Sequence, residues 1–340
     1  MVAEPAKPYR NDDIPMTSAL TLPERDDLAN DDTRFGALRS HDRFDYLPIT
    51  ARDTYRWPNG ARLAVYLGFN LEHFAFGEGM GANLGPVSPQ PDVLNFSWRE
   101  YGNRVGAWRC LDLFDDLSMP AGVVLNTSLL DHCPALVHAC VARGDELIGH
   151  GHTNAQRQSD FEPAHEHDLL MHCRSRLTQA TGCAPTGWLS PWISETHHTP
   201  DLLARTGYRY TLNWCHDDRP VRMRTAHGTL WSVPYPQEVN DIPMIVGRQM
   251  DGVAFADMIA DNFDEMYAQA EHPTRAQPLV MGIALHPYLV GQPYRLRHLR
   301  RVLTPIVQAA QRGEIWLTRP GDIAAHVASV SLTRPDAVMG

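Results

Sequence analysis

The chain has 340 residues, 43% hydrophobic and 21% charged, which is the balance of a folded globular protein and excludes a disordered or fibrous one. The formal charge is −10 and no Lys/Arg run exceeds Arg300–Arg301, so a nucleic-acid backbone is not an expected partner. The single lysine, Lys7, lies in a polar N-terminal stretch, which disfavours Schiff-base, pyridoxal and P-loop chemistry, and no organic cofactor is expected.

Residues 1–54 are rich in Pro and Asp, as in TLPERDDLANDDTRF, and carry no apolar face. They read as an arm, either a mobile tail or a clasp on a neighbouring subunit. From Arg62 the pattern changes. RLAVYLGF predicts a strand, the Gly/Pro-rich GEGMGANLGPVSPQP a long loop, and REYGNRVGAWRCLDLFDDL an amphipathic helix. The alternation continues with strand AGVVLN, helix LLDHCPALVHACVARG, strand DELIGHG, helix HEHDLLMHCRSRLTQATG, strand PTGWLS and helix TPDLLARTG. Strands YRYTLN, TLWSVPYP, QPLVMGIALH and EIWLT follow, with helical stretches VAFADMIADNFDEMYAQA and RLRHLRRVLTPIVQAAQRG between them. Repeated βα units of this kind close most economically as one barrel over residues 55–328, with 329–340 as a tail; an open doubly wound sheet is the other topology.

In a barrel the carboxyl ends of the strands meet at one mouth. Here those ends carry Asn70 and Glu72, Asn126, His150, Ser190, Asn213, Tyr235 and His286, so residues far apart in sequence are expected to become neighbours. Glu72, His150 and Asn154 form the most metal-like set, a mixed O/N group able to hold a divalent ion, zinc or manganese, or to orient substrate without one. His152, two residues from His150, would face the opposite side of an extended segment. His286 follows the apolar run LVMGIAL and is a candidate general acid or base. Of the adjacent carboxylates Asp217 and Asp218 in WCHDDRP, Asp218 is taken as a catalytic candidate; turn formation before Pro220 is the alternative. Trp188, Trp192 and Tyr235 are candidate pocket walls, and Asn240 and Asp241 candidate partners of a polar heterocycle.

The six cysteines show no C-x-x-C pair and read as reduced thiols. The N-terminus MVAEPAKPYRNDD has no apolar h-region, and no apolar run approaches the roughly 18 residues of a membrane-spanning helix. A cytoplasmic protein without membrane contact is expected.

Five segments in order carry a family resemblance: WPNGARLAVYLGFNLEHF, HGHTN, GWLSPW, NWCHDDRP and ALHP. With them, residues from about Tyr55 to Val327 resemble the polysaccharide deacetylase (NodB-homology, carbohydrate esterase 4-like) superfamily. VPYPQEVNDI and YGNRVGAWR are similar to its allantoinase and cyclic imide hydrolase branch. The resemblance implies a distorted (β/α) barrel and a role for His286 in protonating or orienting the leaving group. It also implies a tendency to assemble, as a dimer or tetramer. The sugar deacetylases carry an Asp pair in the first motif and two histidines four apart in the second. Here Asn70–Leu71–Glu72 stands at the first and His150 with Asn154 at the second, so the ordinary metal site is altered at two of three positions and a neutral Asn replaces the ordinary base. The expectation is a hydrolase opening an amide C–N bond of a small ureide, hydantoin-like ring or cyclic imide. A carbohydrate N-deacetylase and a non-catalytic binding barrel are the alternatives.

Overall fold

The computed structural model describes residues 40–86 and 90–333. Among them one sheet is built from β1 (Leu63–Leu71), β2 (Ala121–Leu125), β3 (Glu146–Gly149), β4 (Gly187–Trp188), β5 (Tyr210–Thr211), β6 (Val221–Thr225), β7 (Gly228–Ser232), β8 (Leu279–Leu285) and β9 (Trp316–Thr318). The order is β6-β7-β5-β4-β3-β2-β1-β8. β1 is an interior strand, paired along both edges, and its sequence, LAVYLGFNL, is apolar on both sides; all nine of its residues are buried. One edge of β1 pairs in parallel with β8. The other is shared between β9, at Ala64–Tyr66, and β2, at Leu67–Leu71. The sheet curls into the expected distorted barrel. The gap from β7 to β8 is bridged by irregular backbone: Val280 donates to the Asp218 carbonyl and Ala284 to that of Val239, at 2.8 and 2.9 Å.

Helices cover the outside: α1 (Val93–Tyr101), α2 (Ala107–Asp116), α3 (Leu129–His132), α4 (Pro134–Arg143), α5 (Pro163–Thr181), α6 (Thr199–Arg205), α7 (Gly252–Ala270), α8 (Pro287–Val290), α9 (Pro293–Gln311) and α10 (Pro320–Thr333). Their starts follow local chemistry. Asp251 caps α7 by accepting from the amides of Val253 and Ala254, and prolines open α4, α5 and α9 where no amide donor is needed. Leu, Val and Ile of α2, α7 and α9 pack with β1 and β8 in the largest core cluster, each fully buried side chain contributing roughly 1.5–3 kcal/mol.

Four details depart from the sequence expectation. The strand β6 was not foreseen, although VRMRT alternates buried Val221 and Met223 with exposed Arg222 and Arg224, and it forms an antiparallel hairpin with β7. α1 starts at Val93, six residues before the helix expected from Arg99 and just past the expected loop, which ends at Pro91; Asp92 caps it. The helix expected over 129–144 is split at Cys133, because the residue before Pro134 is driven out of the helical region. α10 was not anticipated, and it runs to Thr333, past the expected boundary at 328. Most of the expected N-terminal arm, residues 1–39, lies outside the described residues, as does 334–340 of the tail. Residues 42–54 belong to the barrel unit, which begins at Asp42; Arg43 pairs with Asp201 and Arg52 with Asp217. Among the described residues no helix is long and apolar enough to cross a membrane.

Gly149, the last residue of β3, sets the approach of β3 to its neighbour. A Cβ there would lie 2.7 Å from the Trp188 ring and 3.2 Å from the Tyr208 hydroxyl, both fully buried. Gly149→Ala is expected to destabilise the fold by about 1–3 kcal/mol through this overpacking. The loss would appear as a lower urea midpoint at unchanged slope.

Candidate active site

The site is assembled from strand ends. Because side chains alternate along β1 and its extension, Asn70 and Glu72 turn to the same side, into the barrel mouth. Glu72 is buried and its two carboxylate oxygens have different partners. Oε1 accepts from Asn154 Nδ2 at 2.6 Å, and Oε2 from the Tyr288 hydroxyl at 3.0 Å. Two imidazoles converge on Oε1: His150 Nε2 at 3.7 Å and His286 Nε2 at 3.5 Å.

Hydrogen bonds behind each imidazole decide which nitrogen faces the cavity. His150 Nδ1 lies 2.6 Å from the Leu189 carbonyl, which can only accept, so Nδ1 carries the proton and Nε2 faces Glu72. His286 is gripped twice by Asp241: its backbone N–H donates to Oδ2 at 2.7 Å and its Nδ1–H to Oδ1 at 2.6 Å. Burial disfavours the charged form of each group, but the pairing overrides it. Glu72 is driven down to about 2, against the cost of burial, chiefly by the His286 charge. His286 is driven up to about 10, against burial, by Asp241 and Glu72. At neutral pH the pair is therefore carboxylate and imidazolium.

Glu72, His150, Asn154 and His286 line one cavity of about 210 Å³. Asn70, Trp192, Tyr235 and Asn240 line it too. Trp192 and Ile193 form one wall from consecutive left-handed conformations, φ 63° and 52°, rare for such side chains. The turn is held by Trp192 Nε1 donating to the Asn154 carbonyl at 2.9 Å. The glycine-rich loop adds Ala82 to the lining. Met80 N–H donates to the Ala155 carbonyl, Leu84 N–H to Asn95 Oδ1 and Arg99 to the Ala82 carbonyl, and Phe74 and Ala82 reach the cavity.

Three sequence candidates are placed elsewhere. Trp188 is fully buried and donates to Gln158 and Ser190, because the residue ending β4 points into the core. Asp218 lines a separate cavity with Cys215 and Pro236, where its carbonyl holds β8. Asp241 is wholly buried beside His286 and does not line the cavity that Glu72, His150 and His286 share. His152 is exposed on the other side of its segment, as its spacing implied. Sequence reasoning missed Tyr288. Its only signal was its place in HPY, where α8 begins beside His286.

No family model matches the chain. A Schizosaccharomyces pombe protein assigned as a polysaccharide deacetylase is 25% identical over 307 residues, 80% of this chain and 92% of that protein. A peptidoglycan deacetylase of Helicobacter pylori is 28% identical over 172 residues, 49% of this chain and only 58% of that protein. Among solved structures, PuuE allantoinase is 29% identical with a TM-score of 0.69, covering 82% of this chain and 93% of that one. A Pseudomonas aeruginosa PAO1 protein assigned as a polysaccharide deacetylase is 28% identical with a TM-score of 0.70, covering 82% and 94%. In sequence and fold the chain is similar to proteins assigned as polysaccharide deacetylases and to an allantoinase. These relatives support a hydrolase, and the allantoinase neighbour supports the branch suspected from sequence.

The donor set here does not fit a divalent ion. Among the described residues no three His, Cys, Asp or Glu side chains are grouped to hold a metal. His150 offers one imidazole, but Asn154 turns its NH₂, not its oxygen, toward Glu72. A cation between the two would have to break that 2.6 Å bond.

Proposed function

We propose that this hydrolase opens an amide C–N bond in a small cyclic substrate, a ureide, hydantoin-like ring or cyclic imide, using water and the Glu72–His286 pair. The observation that carries the reading is the Asp241–His286–Glu72 chain, whose last two members line a cavity of about 210 Å³. Water beside Glu72 Oε1 gives its proton to the carboxylate as its oxygen bonds the ring carbonyl carbon. The C–N bond then breaks, and His286 Nε2–H protonates the departing nitrogen. The proton on Glu72 returns to His286 across their 3.5 Å gap. His150 Nε2, fixed by Leu189, orients the water.

The anchored glycine-rich loop and the Trp192–Ile193 turn favour a compact ring over a long glycan, which needs an open groove. The names of the yeast and Helicobacter relatives favour the second reading, an N-deacetylase. Ring opening on a panel of cyclic imides, hydantoins and ureides, run beside acetate release from N-acetylated oligosaccharides, separates the two. Turnover of rings without acetate release is expected; the reverse would replace this reading with the second.

Because the donor set is poor for an ion, exhaustive dialysis against EDTA is expected to change kcat by less than twofold. Added Zn²⁺ or Mn²⁺ should not raise it. A loss of tenfold or more that either ion restores would show that the chemistry runs through a metal after all.

A further inference from the structure

The residues lining the cavity that Glu72, His150 and His286 share differ in their access to solvent. Glu72, His150, His286 and Tyr288 are buried, whereas Trp192, Ile193, Ile242 and Pro243 are partly exposed, so the reacting groups lie inside and these four apolar side chains lie toward solvent. Trp is usually well buried, yet Trp192 is 38% exposed. Its backbone and that of Ile193 take left-handed conformations one after the other, which a β-branched residue rarely adopts. Such conformations persist only where the surroundings enforce them, and they gather at ligand clamps. Here the Trp192 indole N–H is spent on the Asn154 carbonyl, the Ile193 N–H on the Ser190 carbonyl at 2.8 Å, and the Ser194 hydroxyl on that of Pro191 at 2.7 Å. With its N–H bonded, the Trp192 side chain has no polar atom left to offer.

Polar neighbours are committed as well. Asn240 Oδ1 accepts from the Ile242 amide at 3.1 Å, and Asn240 Nδ2 and Gln237 Nε2 both donate to the Pro236 carbonyl, at 3.4 and 3.3 Å. No Lys or Arg lines the cavity; Arg99 stacks over the Phe74 ring at 4.5 Å without reaching it. The His286 imidazolium is already flanked by two carboxylates, so an anionic group entering here meets net repulsion.

We propose that Trp192, Ile193, Ile242 and Pro243 form a subsite for an uncharged apolar substituent on the substrate ring, so that the hydrolase selects alkyl- or aryl-substituted rings over bare, ureido-bearing or carboxylated ones. The inference rests on the ring-opening reading and narrows its substrate class. An apolar substituent leaves water against these side chains at no cost in hydrogen bonds, whereas a ureido arm or a carboxylate gives up hydration and finds no polar partner among them.

The test compares wild-type kcat/KM for hydantoin, its isopropyl and phenyl derivatives, allantoin and carboxymethylhydantoin, with succinimide and phenylsuccinimide alongside. The apolar derivatives are expected to exceed their bare parents by about tenfold or more, chiefly through KM, and allantoin and the carboxylate to fall below hydantoin. Trp192→Ala should shrink the apolar advantage to about threefold or less. Ile242→Arg should narrow the gap between carboxymethylhydantoin and hydantoin by about tenfold. A wild type that turns over hydantoin, allantoin or the carboxylate better than the apolar derivatives overturns the proposal and leaves ring opening standing. An apolar advantage unchanged in Trp192→Ala also overturns it, since the substituent then rests elsewhere. If that variant does not fold, Ile242→Arg decides, and an unmoved gap for the carboxylate overturns the proposal. A wild type that opens none of these rings removes the underlying reading instead, and this proposal with it.

Discussion

His286→Gln is expected to lower kcat for ring opening by about 10²–10⁴-fold with KM changed only a few-fold, because the imidazolium acts on the departing nitrogen and little on the bound ring. Glu72→Gln should cost as much, and the double variant no more than the worse single one, since the two groups share one proton relay. The pH profile follows from the same pairing. His286 is raised from 6.5 to about 10, so wild-type kcat should stay level through neutrality and fall as pH rises through about 10. Glu72, held at about 2, stays ionised across that range. Linkage gives the matching sign for folding. Between 6.5 and about 10 the native protein holds a proton on His286 that the unfolded chain has released, so this contribution to stability is complete below 6.5 and is lost as pH climbs toward 10. An alkaline limb near 6.5, or wild-type-like turnover in either single variant, would sink the mechanism.

Asp241→Asn is expected to move that alkaline limb toward neutrality. Asp241 accepts both the backbone N–H and the Nδ1–H of His286, and its charge helps to hold the imidazolium proton inside a wholly buried environment. An amide of the same shape can accept one of these bonds but presents an NH₂ to the other, and it brings no charge. The loss in kcat should be about 10²-fold or more near pH 9 and clearly smaller near pH 6, where the histidine is more readily protonated. A uniform loss at all pH values would mean that Asp241 only supports the loop, and an unmoved limb that another group holds the proton.

The meeting of Glu72, His150 and His286 was legible from the strand ends. A run such as LVMGIAL is too apolar to lie anywhere but in the buried sheet, so the His286 that follows had to stand at its rim; LIG before His150 says the same. In a parallel sheet those rims face one way, which is why Glu72, His150 and His286, separated by scores of residues, meet within 3.7 Å. Trp188 misled because a two-residue strand carries no periodicity to tell its inward side from its outward one.

What composition and pattern determined by themselves was the alternation of strand and helix and the polar residues delivered to the barrel mouth, because burial periodicity is a local property of the chain. Asp241 behind His286, Tyr288 on Glu72 and the amide face that Asn154 shows were decided only by tertiary structure. Each depends on which donor lies within about 3 Å of which acceptor. That distance is set by the packing of loops that carry no periodic signal, so no spacing along the chain encodes it.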